Sequence, residues 1–190
     1  MNKHRITALM LALIFLVIPV LSGCSNSMSD EEMVAIFKER YGAAYSLNEY
    51  IWGKGIEPGE YDSSTPLNPY YVKVKDEVPY RTKAELKAAI ADVYVSDLVE
   101  GEIRELLFTG YGDNGPEPRY SEADGVLTVD VKHKGFDLVG KFLPETAKVK
   151  RSTATTIVFD VIYERDGKQW EESVMMKLED GVWRFEAPMY

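Results

Sequence analysis

The sequence predicts an α+β domain in which N-terminal helices pack on a curved antiparallel sheet, and three observations predict it. Met33, Ile36, Phe37, Tyr41, Ala44 and Tyr45 recur at helical spacing and give one apolar face. Thr82 and Glu85 in "TKAEL" have the spacing of a capping box, in which a hydroxyl and a carboxylate each satisfy an exposed helix amide. Late in the chain "RDGK" and "EDG" separate apolar runs, and strands joined by turns this short run antiparallel.

The elements follow in order. Residues 1–23 open with Lys3, His4 and Arg5, continue as an apolar run from Ile6 to Leu21 and end in Ser22 and Gly23, the layout of a secretory signal peptide. The run is shorter than the roughly 20 residues a membrane-spanning helix needs, and Pro19 interrupts it. Cys24 is the only cysteine in the chain. Residues 24–30 are otherwise small and polar, which suits a tether, and residues 31–190 then form a single domain. Ser29 or Asp30 caps the first helix, with Glu31 and Glu32 in the turn where the helix dipole favours negative charge.

From Gly53 to Pro69 the pattern dissolves into a Gly, Pro and Ser-rich connection, and alternation over residues 70–75 predicts a strand. After the "TKAEL" helix a further helix starts near Ser96 or Asp97 and carries Leu98, Ile103, Leu106 and Leu107 to about Phe108. "TGYGDNGPEP" is a loop by its glycines and prolines. A turn at Asp124 and Gly125 separates two short strands, and three more are expected over residues 153–164, 168–178 and 182–187.

Leu21, Ser22, Gly23 and Cys24 resemble the lipobox of bacterial lipoproteins. The resemblance implies that the Cys24 thiol carries lipid, palmitate among its acyl chains, that the chain is cut before it, and that the protein sits on the extracytoplasmic face of the cell membrane. Helix, long loop, strand, capped helices and a meander ending in "GVWRFEAP" resemble the nuclear-transport-factor-2-like, or cystatin-like, fold, in which a curved sheet encloses a cone-shaped cavity. "YYVKVKDEVPYRTKAELKAAIADVYVSDLVEGEI", "YSEADGVLTVD" and the closing strands are similar to secreted Firmicutes proteins of the DL-endopeptidase inhibitor family. That similarity implies restraint of peptidoglycan-cleaving autolysins, with no individual residue assigned to it.

Charge and composition narrow the partners. The formal net charge is −9, and loss of the leader removes Lys3 and Arg5 but no acid. Such a surface repels nucleic acid and favours a basic protein, which the resemblance to the inhibitor family implies is a basic cell-wall hydrolase, while the lipobox resemblance implies membrane lipid engaged through Cys24. Once the leader is gone His133 is the only histidine, so a His-rich metal site is not expected and no cofactor is called for. Leu127, Val129, Val131 and His133 share one face by alternation, which sets His133 at the rim of a concave cavity. Glu171 and Glu172 point to opposite faces of a strand and cannot converge on one bond. The expected activity is therefore non-enzymatic protein binding, with a small-ligand cavity as the alternative. Loops 53–69 and 110–118 are the expected contact surface, with Tyr61, Tyr111, Asp113, Glu117 and His133 as binding residues.

Overall fold

The computed structural model describes residues 28–60, 70–112, 116–133, 135, 137, 138 and 140–190. The expected signal peptide, residues 1–23, and Cys24 lie outside them. Helix α1 (Asp30–Ile51) starts where expected: Ser29 Oγ accepts the Glu32 amide at 3.2 Å, and the Ser29 amide donates to Glu32 Oε2 at 2.8 Å. Two orphan amides are thereby satisfied reciprocally. Its buried face is Met33, Phe37, Tyr41, Ala44, Leu47, Asn48 and Ile51. Helix α2 (Lys83–Val93) carries the Thr82–Glu85 box and buries Leu86, Ile90 and Val93. Helix α3 (Ser96–Leu98) runs on into wider π-type turns over Val99–Ile103 and Glu105–Thr109, with Gly101 kinked out of helical geometry inside the first of them.

The strands form two antiparallel sheets. The smaller has the order β1 (Tyr71–Lys73), β3 (Val126–Asp130), β2 (Tyr120–Ala123). The larger has the order β4 (Gly140–Ser152), β5 (Thr156–Arg165), β6 (Lys168–Glu179), β7 (Val182–Phe185). Asp-Gly turns close the β2–β3, β5–β6 and β6–β7 hairpins, and Asp124, Asp166 and Asp180 all stand at φ 51° ahead of a glycine with positive φ. Both central residues are thus left-handed, the geometry whose twist matches that of the paired strands.

Strand β4 has no counterpart among the strands expected from the sequence. Its pairing with β5 slips between Leu143 and Lys148 and again between Val149 and Arg151, and Pro144 sits in the first slip. Thr146 Oγ1 fills the broken ladder by accepting the Ile162 amide at 2.9 Å and donating to the Leu143 carbonyl at 2.7 Å. Such bulges bend a strand, and here they curve the sheet around α1. The concave face supplies Ile157, Phe159, Val161, Val174, Met176 and Phe185 to the core, and α1 lies across β4 and β7.

Candidate functional site

Strands β5 and β6 outrun the helix they cover. Beyond Val161 and Val174 the concave face changes character, to Tyr163 on β5, Trp170 and Glu172 on β6, and Phe142 on β4. The hairpin register pairs Tyr163 with Trp170, and Tyr163 is also paired with Phe142 across β4. Their ring centroids stand 5.0 Å apart for Phe142 and Tyr163 and 5.1 Å apart for Tyr163 and Trp170, both at inclined angles.

The C-terminal segment forms the opposite wall. After the Glu186 amide donates to the Met175 carbonyl at 3.2 Å, the chain leaves β6 and crosses to α1. Buried Asn48 holds it there: its Nδ2 donates to the Met189 carbonyl, while its Oδ1 accepts the Tyr94 hydroxyl at 2.9 Å. The Tyr190 ring lies against Trp52 at 5.4 Å. Between this segment and the sheet is an open groove of about 430 Å³, lined by Phe142, Tyr163, Trp170, Glu172, Met189 and Tyr190 among others.

The groove is aromatic and carries one uncompensated acid. Trp170 and Tyr190 are each 40% exposed, an unusual loss of apolar burial for such large side chains. Trp170 Nε1 donates to Glu172 Oε1 at 2.7 Å, which orients the indole and the carboxylate toward each other. Glu186 is neutralised by Lys177, but Glu172 has no cation among the described residues. Rings beside a bare carboxylate suit a cationic side chain or another ligand with an apolar face and a positive or donor end. A smaller cavity of about 280 Å³ between α2 and the π-type turns is lined by Lys87 and Phe108 among others, and Lys87 Nζ stands 5.0 Å over the Phe108 ring.

The residues expected from sequence fall elsewhere. Tyr111 is 46% exposed and Glu117 is exposed, on one surface loop closed by the Tyr111 amide donating to the Pro116 carbonyl. Burial, then Glu102 and Glu105, hold the Tyr111 hydroxyl above its ordinary pKa, so the surroundings of this loop are acidic. Tyr61 and Asp113 lie outside the described residues. His133 is not at the groove rim. Strand β3 ends at Asp130, whose Oδ1 accepts the Lys132 amide and whose carbonyl accepts the His133 amide, so the chain turns and Val131 is left 51% exposed.

In that turn His133 meets Arg119, which is 1% exposed. Arg119 Nε donates to His133 Nδ1 at 3.2 Å, and Arg119 Nη1 donates to the Tyr50 and Ile51 carbonyls at 3.1 Å each. A guanidinium thereby caps the C-terminal, negative end of α1, which has no basic residue in its own last turn. Accepting that bond requires a neutral imidazole with its proton on Nε2. Burial, reinforced by Arg119, lowers the His133 pKa. Tyr120 completes the cluster, its hydroxyl donating to the Tyr50 carbonyl at 2.8 Å and accepting the Ile56 amide at 3.0 Å. Burial first, opposed by Arg119, pushes that hydroxyl up to about 12. Tyr120 is therefore an interior residue although it directly follows a surface loop.

No protein-family model matches the chain, and no curated protein matches it in sequence. Among the described residues no cluster of three or more metal-ligating side chains occurs, and no helix is long and apolar enough to cross a membrane.

Proposed function

We propose that the chain is a lipid-anchored, non-enzymatic binding module on the extracytoplasmic face of a bacterial membrane, and that it takes hold of a cell-envelope protein with a basic surface. The observation that carries this reading is the open aromatic groove with Glu172, which has no cation among the described residues, on a chain of net charge −9. The acidic loop bearing Tyr111 and Glu117 adds a second exposed aromatic and acid pair. The similarity to DL-endopeptidase inhibitors supplies the specific form of the proposal, in which the partner is a peptidoglycan-cleaving autolysin.

Residues 25–190, immobilised and exposed to the cell-wall hydrolases of a Firmicutes extract, are expected to retain a basic hydrolase at low salt and release it progressively as salt rises. Retention that ignores ionic strength, or no retained protein at all, removes the electrostatic module. The groove volume of about 430 Å³ also lies within the roughly 300–1,000 Å³ range of small-molecule sites, which favours a cavity for a small ligand as the second reading. Recovery of a small molecule with the purified protein in place of a hydrolase decides for it.

The membrane address rests on the lipobox and has its own test. Cys24→Ala is expected to abolish incorporation of labelled palmitate and to release the protein from the membrane fraction, since the thiol is the acylated group. Retention of both properties in the variant discards the anchor.

A further inference from the structure

Strand β6 is covered unequally on its two sides. Along one side β5 pairs with it from Thr156–Lys177 to Arg165–Lys168 without an irregularity. Along the other, β7 pairs only with Met176 to Glu179, and the departing C-terminal segment adds a single bond to Met175. Residues 168–173 therefore form a strand edge with no described neighbour, and every one of them is exposed. The Met175 carbonyl accepts its bond on the β7 side, so by the two-residue alternation Ser173, Glu171 and Gln169 also turn their amides and carbonyls outward. The even-numbered Trp170 and Glu172 bond inward to β5 and direct their side chains into the groove.

The opposite edge of the same sheet is blunted in the ways that discourage pairing. Strand β4 carries Pro144, two register slips and the cations Lys141, Lys148, Lys150 and Arg151. Strand β6 has no proline, no slip and a regular run of outward amides beside an aromatic groove. An unprotected edge of this kind is a template for an added strand.

We propose that the Lys168–Ser173 edge receives an extended cationic peptide segment of the partner protein as an added antiparallel strand, with a lysine or arginine opposite Glu172. This rests on the binding-module reading and names how that module holds its partner. In an antiparallel pair, the residue opposite Glu172 points to the same face and so enters the groove. There it finds a carboxylate without a cation among the described residues, beside the rings of Trp170 and Tyr163, a setting in which a cation gains both an ion pair and ring contact. Backbone bonds to Gln169, Glu171 and Ser173 supply affinity, and the groove supplies the preference for positive charge. A second copy of the chain brings a further charge of −9 to the same edge and is the less favourable occupant.

The test uses the full chain in detergent and a capped peptide of about nine alternating lysines and threonines, long enough for the free edge at roughly 3.4 Å per residue. Residue-resolved hydrogen exchange is expected to show the amides of Gln169, Glu171 and Ser173 slowed about tenfold or more by the peptide, with little change at Trp170 and Glu172, whose amides are already bonded to β5. An otherwise identical glutamate–threonine peptide leaves all five unchanged. Glu171→Pro, which removes one outward amide and no inward one, and Glu172→Lys, which reverses the groove charge, both abolish the protection while the far-ultraviolet dichroism stays that of the parent. Three results overturn the proposal. One is absence of protection up to millimolar lysine peptide. Another is protection that rises with protein concentration alone, which marks self-pairing. The third is a change in Trp170 fluorescence without amide protection, which places the peptide in the groove by side chains only and leaves the binding-module reading intact.

Discussion

Phe37→Ala is expected to lower the free energy of unfolding by about 4 kcal/mol, the largest effect of any single truncation in this core. Phe37 is 0% exposed and its ring meets Phe159 of β5 at 4.8 Å, Phe185 of β7 edge-on at 5.7 Å and Tyr41 of its own helix at 6.2 Å. One side chain thus ties α1 to two strands that are not neighbours in the sheet. Its removal forfeits the transfer energy of the ring, the aromatic contacts and the packing of a curved sheet that cannot collapse onto a straight helix. Domains are stable by roughly 5–15 kcal/mol, so a loss of this size leaves a marginal fold. Phe37→Leu, which keeps most of the volume, is expected to cost about 1.5 kcal/mol. Urea unfolding followed by tryptophan fluorescence measures both, and an alanine cost under about 1 kcal/mol would mean that α1 is not docked as described.

Phe37 was legible in the sequence, and the reason separates what could be read from what could not. Capping boxes and Asp-Gly turns are local, so Ser29–Glu32, Thr82–Glu85 and the three hairpins appear in the chain as they appear in the fold. The apolar face of α1 is legible at Met33, Phe37, Tyr41 and Ala44, all of them buried, but Tyr45 is 54% exposed. At 3.6 residues per turn a strict every-fourth row drifts about 40° per step, so by Tyr45 it has left the core face, which continues through Ala44 to Leu47. Strand β4 was hidden because Pro144 and two bulges destroy the alternation that identifies a strand.

The groove was partly within reach. Counting outward from the Asp166–Gly167 turn pairs Arg165 with Lys168, Glu164 with Gln169 and Tyr163 with Trp170, which places two rings side by side. Nothing local indicates that α1 stops short of them, or that Asn48 pulls the C-terminal segment away from β6 to open the space. Arg119 was out of reach altogether. An arginine before a strand reads as surface, and its burial depends on carbonyls 69 and 68 residues earlier in the chain. The same long-range contact explains His133, whose position in alternation points to a cavity but whose ring is held by Arg119.

Replacing Arg119 with methionine is expected to cost about 3 kcal/mol and to flatten part of the pH dependence of stability. The guanidinium has no carboxylate partner among the described ion pairs, so its charge is balanced by the α1 carbonyls and the His133 lone pair. Methionine fills the volume and avoids the cost of burying a charge, yet it strands the Ile51 carbonyl and leaves Tyr50 only its bond from Tyr120. The pH signature isolates the contact with His133. Burial, then Arg119, places the folded pKa of His133 below its ordinary value near 6.5, so on acidification the unfolded chain takes up this proton first. Stability is therefore full above about pH 7 and falls as the pH drops through 6.5, until the folded ring is protonated too. Arg119→Met removes the second cause and leaves burial, so the fall becomes shallower. His133→Gln keeps an acceptor for Arg119 and removes the fall. Carboxylates held low in the fold, such as Asp160 beside Ser173 and Lys150, act in a separate window below about pH 4. Urea midpoints at pH 5, 6 and 7 read the difference, and equal slopes for the parent and His133→Gln would show that the imidazole does not titrate against Arg119.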